Sequence, residues 1–219
     1  MVESARRPGG RPSKEEAARL GESILDGARA AFGRKGIANV SLEEIASSLG
    51  VSKHTIYRRY PGMAALLDAV VARDIGHFRQ ALATAADVAG DPLDAARRIS
   101  RSYVAFGASS DYAAFYLSLS AEAAVVPALR ERLAAWSATA LEPLTAAIAA
   151  AQAAGALRPG DPLPVRDALV DLLEGVNNRV RLAAGETPDV EALFETRWQV
   201  FLAAMAMPAT SSARPSLAP

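Results

Sequence analysis

The sharpest pattern of apolar and polar positions lies in residues 41–60, SLEEIASSLGVSKHTIYRRY. Leu42, Ile45 and Leu49 recur at steps of three and four, which predicts one apolar helix face. Ser41 stands where a cap belongs, and Glu44 is at the third helical position to complete a capping box. Gly50 ends the helix, because glycine enters the left-handed conformation without steric cost. Ser52 then caps a second helix over residues 53–59. On it, Ile56 and Tyr60 fall on the inner side, where they can join Ile45 and Leu49. His54 and Arg58 point away, flanked by Thr55 and Tyr57. Two short helices around a glycine turn predict a helix-turn-helix, whose second helix enters the DNA major groove. The outward donors, cation, methyl and phenol suit base edges and phosphates.

Helical spacing continues on both sides. Ser13, with Glu16, opens a helix to about residue 34 whose stripe is Leu20, Ile24, Ala28, Ala31 and Phe32. Lys35 and Gly36 end it, and Ile37 and Val40 extend the core. After Pro61 a helix to about residue 85 carries Leu66, Leu67, Val70, Val71, Ile75 and Phe78. Asp91-Pro92 opens another to about residue 107, and Asp111 opens one through Tyr112, Phe115, Tyr116 and Leu119. Pro127 suits the start of a long helix reaching residue 154, with Pro143 inside it as a kink. A turn-rich connector over 155–164 precedes two closing helices, roughly 164–184 and 188–207. The fold class is therefore all-α: an N-terminal three-helix helix-turn-helix domain and a C-terminal helical domain. Residues 1–12 read as a flexible basic arm, 13–60 as the DNA-binding domain, 61–207 as the second domain and 208–219 as a disordered tail.

Charge sharpens the division. The chain of 219 residues is neutral overall, with 24 Lys and Arg against 24 Asp and Glu. Residues 1–60 hold 11 basic against 7 acidic residues, and residues 61–219 hold 13 against 17. A weakly basic head on an acidic body fits a DNA reader joined to a domain with another task. There is no cysteine, which excludes disulfides, thiolate metal sites and cysteine nucleophiles. No signal-peptide core or uninterrupted apolar run of about 20 residues is present, so a cytoplasmic location is expected.

Enzymatic chemistry has little to stand on. His54 and His77 are the two histidines, and neither has an adjacent carboxylate motif. A phosphate-binding glycine loop, a zinc motif and a Gly-x-Ser-x-Gly elbow are all missing. The pairs Glu15-Glu16 and Glu43-Glu44 sit at helix starts, where the helix dipole accounts for them. The chain reads as a non-enzyme with no cofactor and no metal. A helical protein-interaction module that uses the helix-turn-helix without specific DNA binding is the alternative.

Residues 10–78 resemble the DNA-binding region of the tetracycline-repressor (TetR) family of bacterial regulators. The resemblance rests on Ser41-Leu42-Glu43-Glu44-Ile45-Ala46, Leu49-Gly50-Val51-Ser52-Lys53, Thr55-Ile56-Tyr57 and Tyr60. It implies that Thr55 contacts a base or phosphate and Tyr57 a phosphate, with Lys53, His54 and Arg59 making further groove or backbone contacts. Ser41 heads a helix whose hydroxyl and free amides suit a phosphate oxygen. Together with Ser52 and Arg58 these form the candidate DNA-binding set. Many relatives carry a phosphate-gripping lysine where Met63 stands here, and a phenylalanine at Tyr60.

The remainder resembles the family only in its helical plan. By helical spacing, Phe78, Tyr103, Phe106, Tyr112, Phe115, Tyr116, Leu119 and Trp136 read as ordinary core. The resemblance adds an effector pocket enclosed by the middle helices, with these residues as lining and Glu122, Asn177, Asn178 and Arg181 as polar contacts. Leu169, Leu172, Val176 and Val180 form one apolar stripe on the closing helices; Phe194 and Phe201 belong to another. Periodicity alone leaves open whether they pack within one chain. The helix-turn-helix favours a two-fold dimer, and the resemblance implies that these helices form it. The expected function is a ligand-responsive repressor binding an inverted-repeat operator as a homodimer, with a small-molecule effector and no membrane partner.

Overall fold

The computed structural model describes residues 13–207, except 88 and 187. The proposed arm over 1–12 and tail over 208–219 lie outside the described residues. Among the described residues the chain forms ten α-helices and one short 3₁₀ turn. It divides into two compact units. One takes the described residues up to Arg73 together with Ala114–Val126; the other takes Asp74–Ala113 and the described residues from Pro127 onward.

In the first unit, α1 (Lys14–Lys35) opens with the full capping box. The Ser13 amide donates to Glu16 Oε2 at 2.8 Å, and the Glu16 amide donates to Ser13 Oγ at 3.1 Å. Ile24, Ala28, Ala31 and Phe32 are buried as their spacing requires, while Leu20 is only half-buried. The 3₁₀ turn Ile37–Asn39 leads to α2 (Leu42–Ser48) and α3 (Lys53–Tyr57). Gly27 lets α2 close on α1, since a Cβ there would lie 3.0 Å from Leu49 Cδ2. The first half of α4 (Met63–Ala86) adds Leu66, Leu67, Val70 and Val71 to the core. Part of α6 (Ser110–Val125) also belongs here. Its Phe115 stacks on Phe32 with ring centres 6.2 Å apart.

The second unit is built from the end of α4, α5 (Pro92–Gly107), α7 (Pro127–Ala140), α8 (Glu142–Ala153), α9 (Pro162–Arg181) and α10 (Val190–Met205). Its core joins Leu82, Ile99, Leu144, Ile148, Leu169, Leu173, Val176, Phe194 and Phe201. The long helix expected over 127–154 is in fact two. It breaks at Leu141 with a 48° bend, and Pro143 lies in the first turn of α8 rather than inside a kinked helix. Proline has no amide to lose there, so breaking the helix costs less than bending it. Among the described residues no single helix is long and apolar enough to cross a membrane; α7 and α8 meet that test only as a bent pair.

Candidate nucleic-acid interface

The reading head grows from three local decisions. Ser41 Oγ accepts the Glu44 amide at 3.1 Å and starts α2. Only that half of the expected capping box forms, because the Glu44 carboxylate pairs with Lys35 instead. Gly50 turns the chain at φ +64°, and the Val51 amide returns to Ala46 O at 3.0 Å. Ser52 Oγ then accepts the Thr55 amide at 3.1 Å and starts α3, while its oxygen lies 2.8 Å from Thr55 Oγ1.

Burial of Ile56 sets which way α3 faces. Its side chain is 0% exposed, and that direction leaves Lys53, His54, Tyr57 and Arg58 on the solvent side. Thr55 is half-buried at the edge. Tyr57 is 40% exposed and lies beneath Lys53, whose Nζ stands 5.2 Å from the ring centre. Tyr60 is half-buried, and burial pushes its phenol above the ordinary value. The structure thus brings Ser52, Lys53, His54, Thr55, Tyr57 and Arg58 onto one short helix and its cap, with Ser41 heading its neighbour.

Arg59 faces the other way. Its Nη2 donates to Ala17 O on α1, in a berth left open by Gly21, where a Cβ would lie 3.2 Å from Nη1. This corrects its expected place among the groove contacts: the guanidinium ties the end of the reading head to α1. Both arginines lie in the turn that follows α3, and they serve different surfaces: Arg58 faces solvent and Arg59 faces α1.

Glu43 is the residue that sequence reasoning missed. Its carboxylate pairs with Lys53, the first residue of α3. Hydrogen bonding to Lys53 holds the Glu43 carboxyl below its ordinary range, and the same contact raises Lys53. Both groups therefore stay charged through neutral pH. Ten positions separate them on different helices, so no helical periodicity could signal the contact.

The candidate effector residues do not form one set. Phe115, Tyr116, Leu119 and Glu122 belong to the first unit and the others to the second. Phe115 and Leu119 are buried, and Glu122 lines a groove of about 500 Å³ with Ile37, Asn39 and Leu117. In the second unit Phe78 meets Tyr103 at 5.4 Å, Phe106 at 5.0 Å and Tyr112 at 6.5 Å between ring centres. Trp136 stands apart on α7, with the Arg132 guanidinium 5.9 Å from its ring. Asn177 and Arg181 join an interior polar group centred on a residue not singled out by sequence, Glu174. It accepts from Tyr103 Oη at 2.7 Å, Asn177 Nδ2 at 3.0 Å and Arg181 Nη1 at 3.0 Å.

The expected dimer residues also need correction. Leu169 and Val176 are 0% exposed, and Phe194 and Phe201 are almost as fully buried in their own chain. Leu172 and Val180 stay half-exposed. Spacing identifies an apolar face but not what covers it; here α5 and α8 pack on α9, and α10 packs on α9 and α5.

Residues 24–70, which span the reading head, match the family model described as bacterial regulatory proteins, tetR family. No curated protein sequence matches the chain. Among solved structures, a regulator from Saccharomonospora viridis in complex with choline superposes with a TM-score of 0.74. It is 18% identical and aligns over 87% of this chain and 100% of its own. A TetR regulator from Haloarcula marismortui gives 0.73 at 18% identity, with the same coverages. A TetR-family regulator from Rhodococcus sp. gives 0.70 at 23% identity, over 83% of this chain and 97% of that one. These likenesses carry the fold. The fold is thus that of the TetR-family regulators, and residues 24–70 carry that family's DNA-binding region.

Proposed function

We propose that the chain is a ligand-responsive repressor that binds an inverted-repeat operator as a homodimer, in the cytoplasm where its DNA lies. The observation that carries the DNA reading is the pairing of a fully buried Ile56 with an exposed polar face on the same short helix. One such helix reads only a few base pairs, and two-fold symmetry doubles the site. His54, Thr55, Tyr57 and Arg58 are the proposed groove and phosphate contacts, with Lys53, Ser41 and Ser52 at the helix starts. Alanine at Thr55, Tyr57 or Arg58 should weaken operator binding by about 1–3 kcal/mol wherever the side chain reads a base directly, with folding intact. Retained affinity in all three variants would favour the protein-interaction reading.

For the dimer we propose the outer faces of α9 and α10. Leu172 and Val180 are half-exposed, Leu182 is 79% exposed and Val200 is 54% exposed. For the effector we propose the second unit, where the rings of Phe78, Tyr103, Phe106 and Tyr112 lie within the same domain as Glu174. Aromatic faces suit an organic cation, which would have to compete with Arg181 for the Glu174 carboxylate. The choline bound by the Saccharomonospora protein makes choline the first compound to test by calorimetry. Both α4 and α6 contribute residues to both units, so a ligand's effect has a covalent route to the reading head. The ligand must prefer the state that releases DNA, by about 1–3 kcal/mol of coupling. An effector that saturates the protein and leaves operator affinity unchanged would refute this part.

A further inference from the structure

Lys53 is the only lysine on the reading helix and its cap, and its ammonium is already engaged on two sides. Glu43 of α2 pairs with it, and the Tyr57 ring lies 5.2 Å below it. Both members of the ion pair are half-exposed, at 52% each, so the contact is open to competition from solvent and from DNA. A phosphate oxygen that seeks this ammonium competes with the Glu43 carboxylate for its donors, and that carboxylate also repels the phosphate. Arg58, the other exposed cation of α3, has no ion pair among those found for the described residues. The two cations of the reading face are therefore unequal: one stands open and the other is held by a carboxylate.

We infer that Glu43 is a specificity-determining residue: it withholds Lys53 from the phosphates of non-cognate DNA, so that Lys53 contributes only where the rest of the reading face docks in register. Non-specific affinity comes almost wholly from phosphate contacts that release counterions, and a lysine masked by a carboxylate releases none. Close docking at a matched site brings several phosphates near Lys53 together, a field that one carboxylate does not outweigh. This rests on the DNA-binding reading given above.

The test compares four forms of the full chain: unmodified, Glu43→Gln, Lys53→Met, and the double variant. Each is titrated against a random-sequence 40-base-pair duplex across a salt series. Removing Glu43's charge should tighten binding about threefold to tenfold at low salt. It should also steepen the slope of log affinity against log salt by about 0.9 per protomer, the signature of one added phosphate contact. In the Lys53→Met background the same substitution should give a smaller gain and no change of slope. Equal gains in both backgrounds would show simple repulsion by Glu43 and overturn the inference, as would no gain in either. Thermal unfolding checks that all four forms fold; an exposed pair contributes little to stability. Absence of any DNA binding by the unmodified chain at low salt would refute the DNA-binding reading itself, a result separable from the other two.

Discussion

Gly50 and Gly107 show two different reasons for a missing side chain. Gly50 sits at φ +64°, and a Cβ there would meet nothing within 4 Å. Gly50→Ala should therefore cost only the left-handed conformation, about 1–2 kcal/mol, read as a lower urea midpoint. Gly107 lies in α5, where a Cβ would fall 2.3 Å from Asn177 Nδ2. Asn177 is 0% exposed and bonded to Glu174, so it has little room to retreat. Gly107→Ala should cost about 1–3 kcal/mol through overpacking. A variant as stable as the parent would show that the amide moves freely. The first glycine was legible from sequence because it sits between two capped helices. The second was not: it reads as one more residue near a helix end, and only the approach of α9 gives it meaning.

Elements were legible where a chemical signal marks their ends. Ser13, Ser41, Ser52 and Asp91 each cap a helix with the side chain accepting a backbone amide. The break between α7 and α8 was less so, because a proline inside an apolar run fits either a kink or a new start. Pairings between elements left no mark in the sequence. Arg97 Nη2 of α5 donates to both carboxylate oxygens of Glu195 on α10 at 2.6 Å, and Arg101 joins it. Hydrogen bonding to Arg97, then to Arg101, holds the Glu195 carboxyl below its ordinary value of 4.5. A depressed carboxylate contributes stability that is complete above that ordinary value and is lost as pH falls through the lower folded one. Glu195→Gln should therefore flatten the fall of stability with acid below about pH 4.5, measured as unfolding midpoints across an acid series. An unchanged acid slope would place the pair outside the stability balance.

At the scale of the whole molecule, sequence carried the helical plan and the reading head but not which apolar faces stay open. Leu169, Val176, Phe194 and Phe201 are spent on the chain's own core, whereas Val200 and Leu182 remain outside. Val200→Glu should thus leave the protomer folded and shift the mass in solution toward the monomer, as light scattering would show. A dimer that tolerates this charge would have to form elsewhere. The aromatic residues behaved likewise: helical spacing assigned them to a core, yet could not divide them between two units. If the exposed face of α3 reads DNA in sequence, twice per assembly, selecting fragments of the source genome on the purified chain at two salt concentrations will show it. Recovery of one short inverted repeat, bound far more weakly at the higher salt, is the predicted result. Uniform weak binding with no enriched repeat would contradict it.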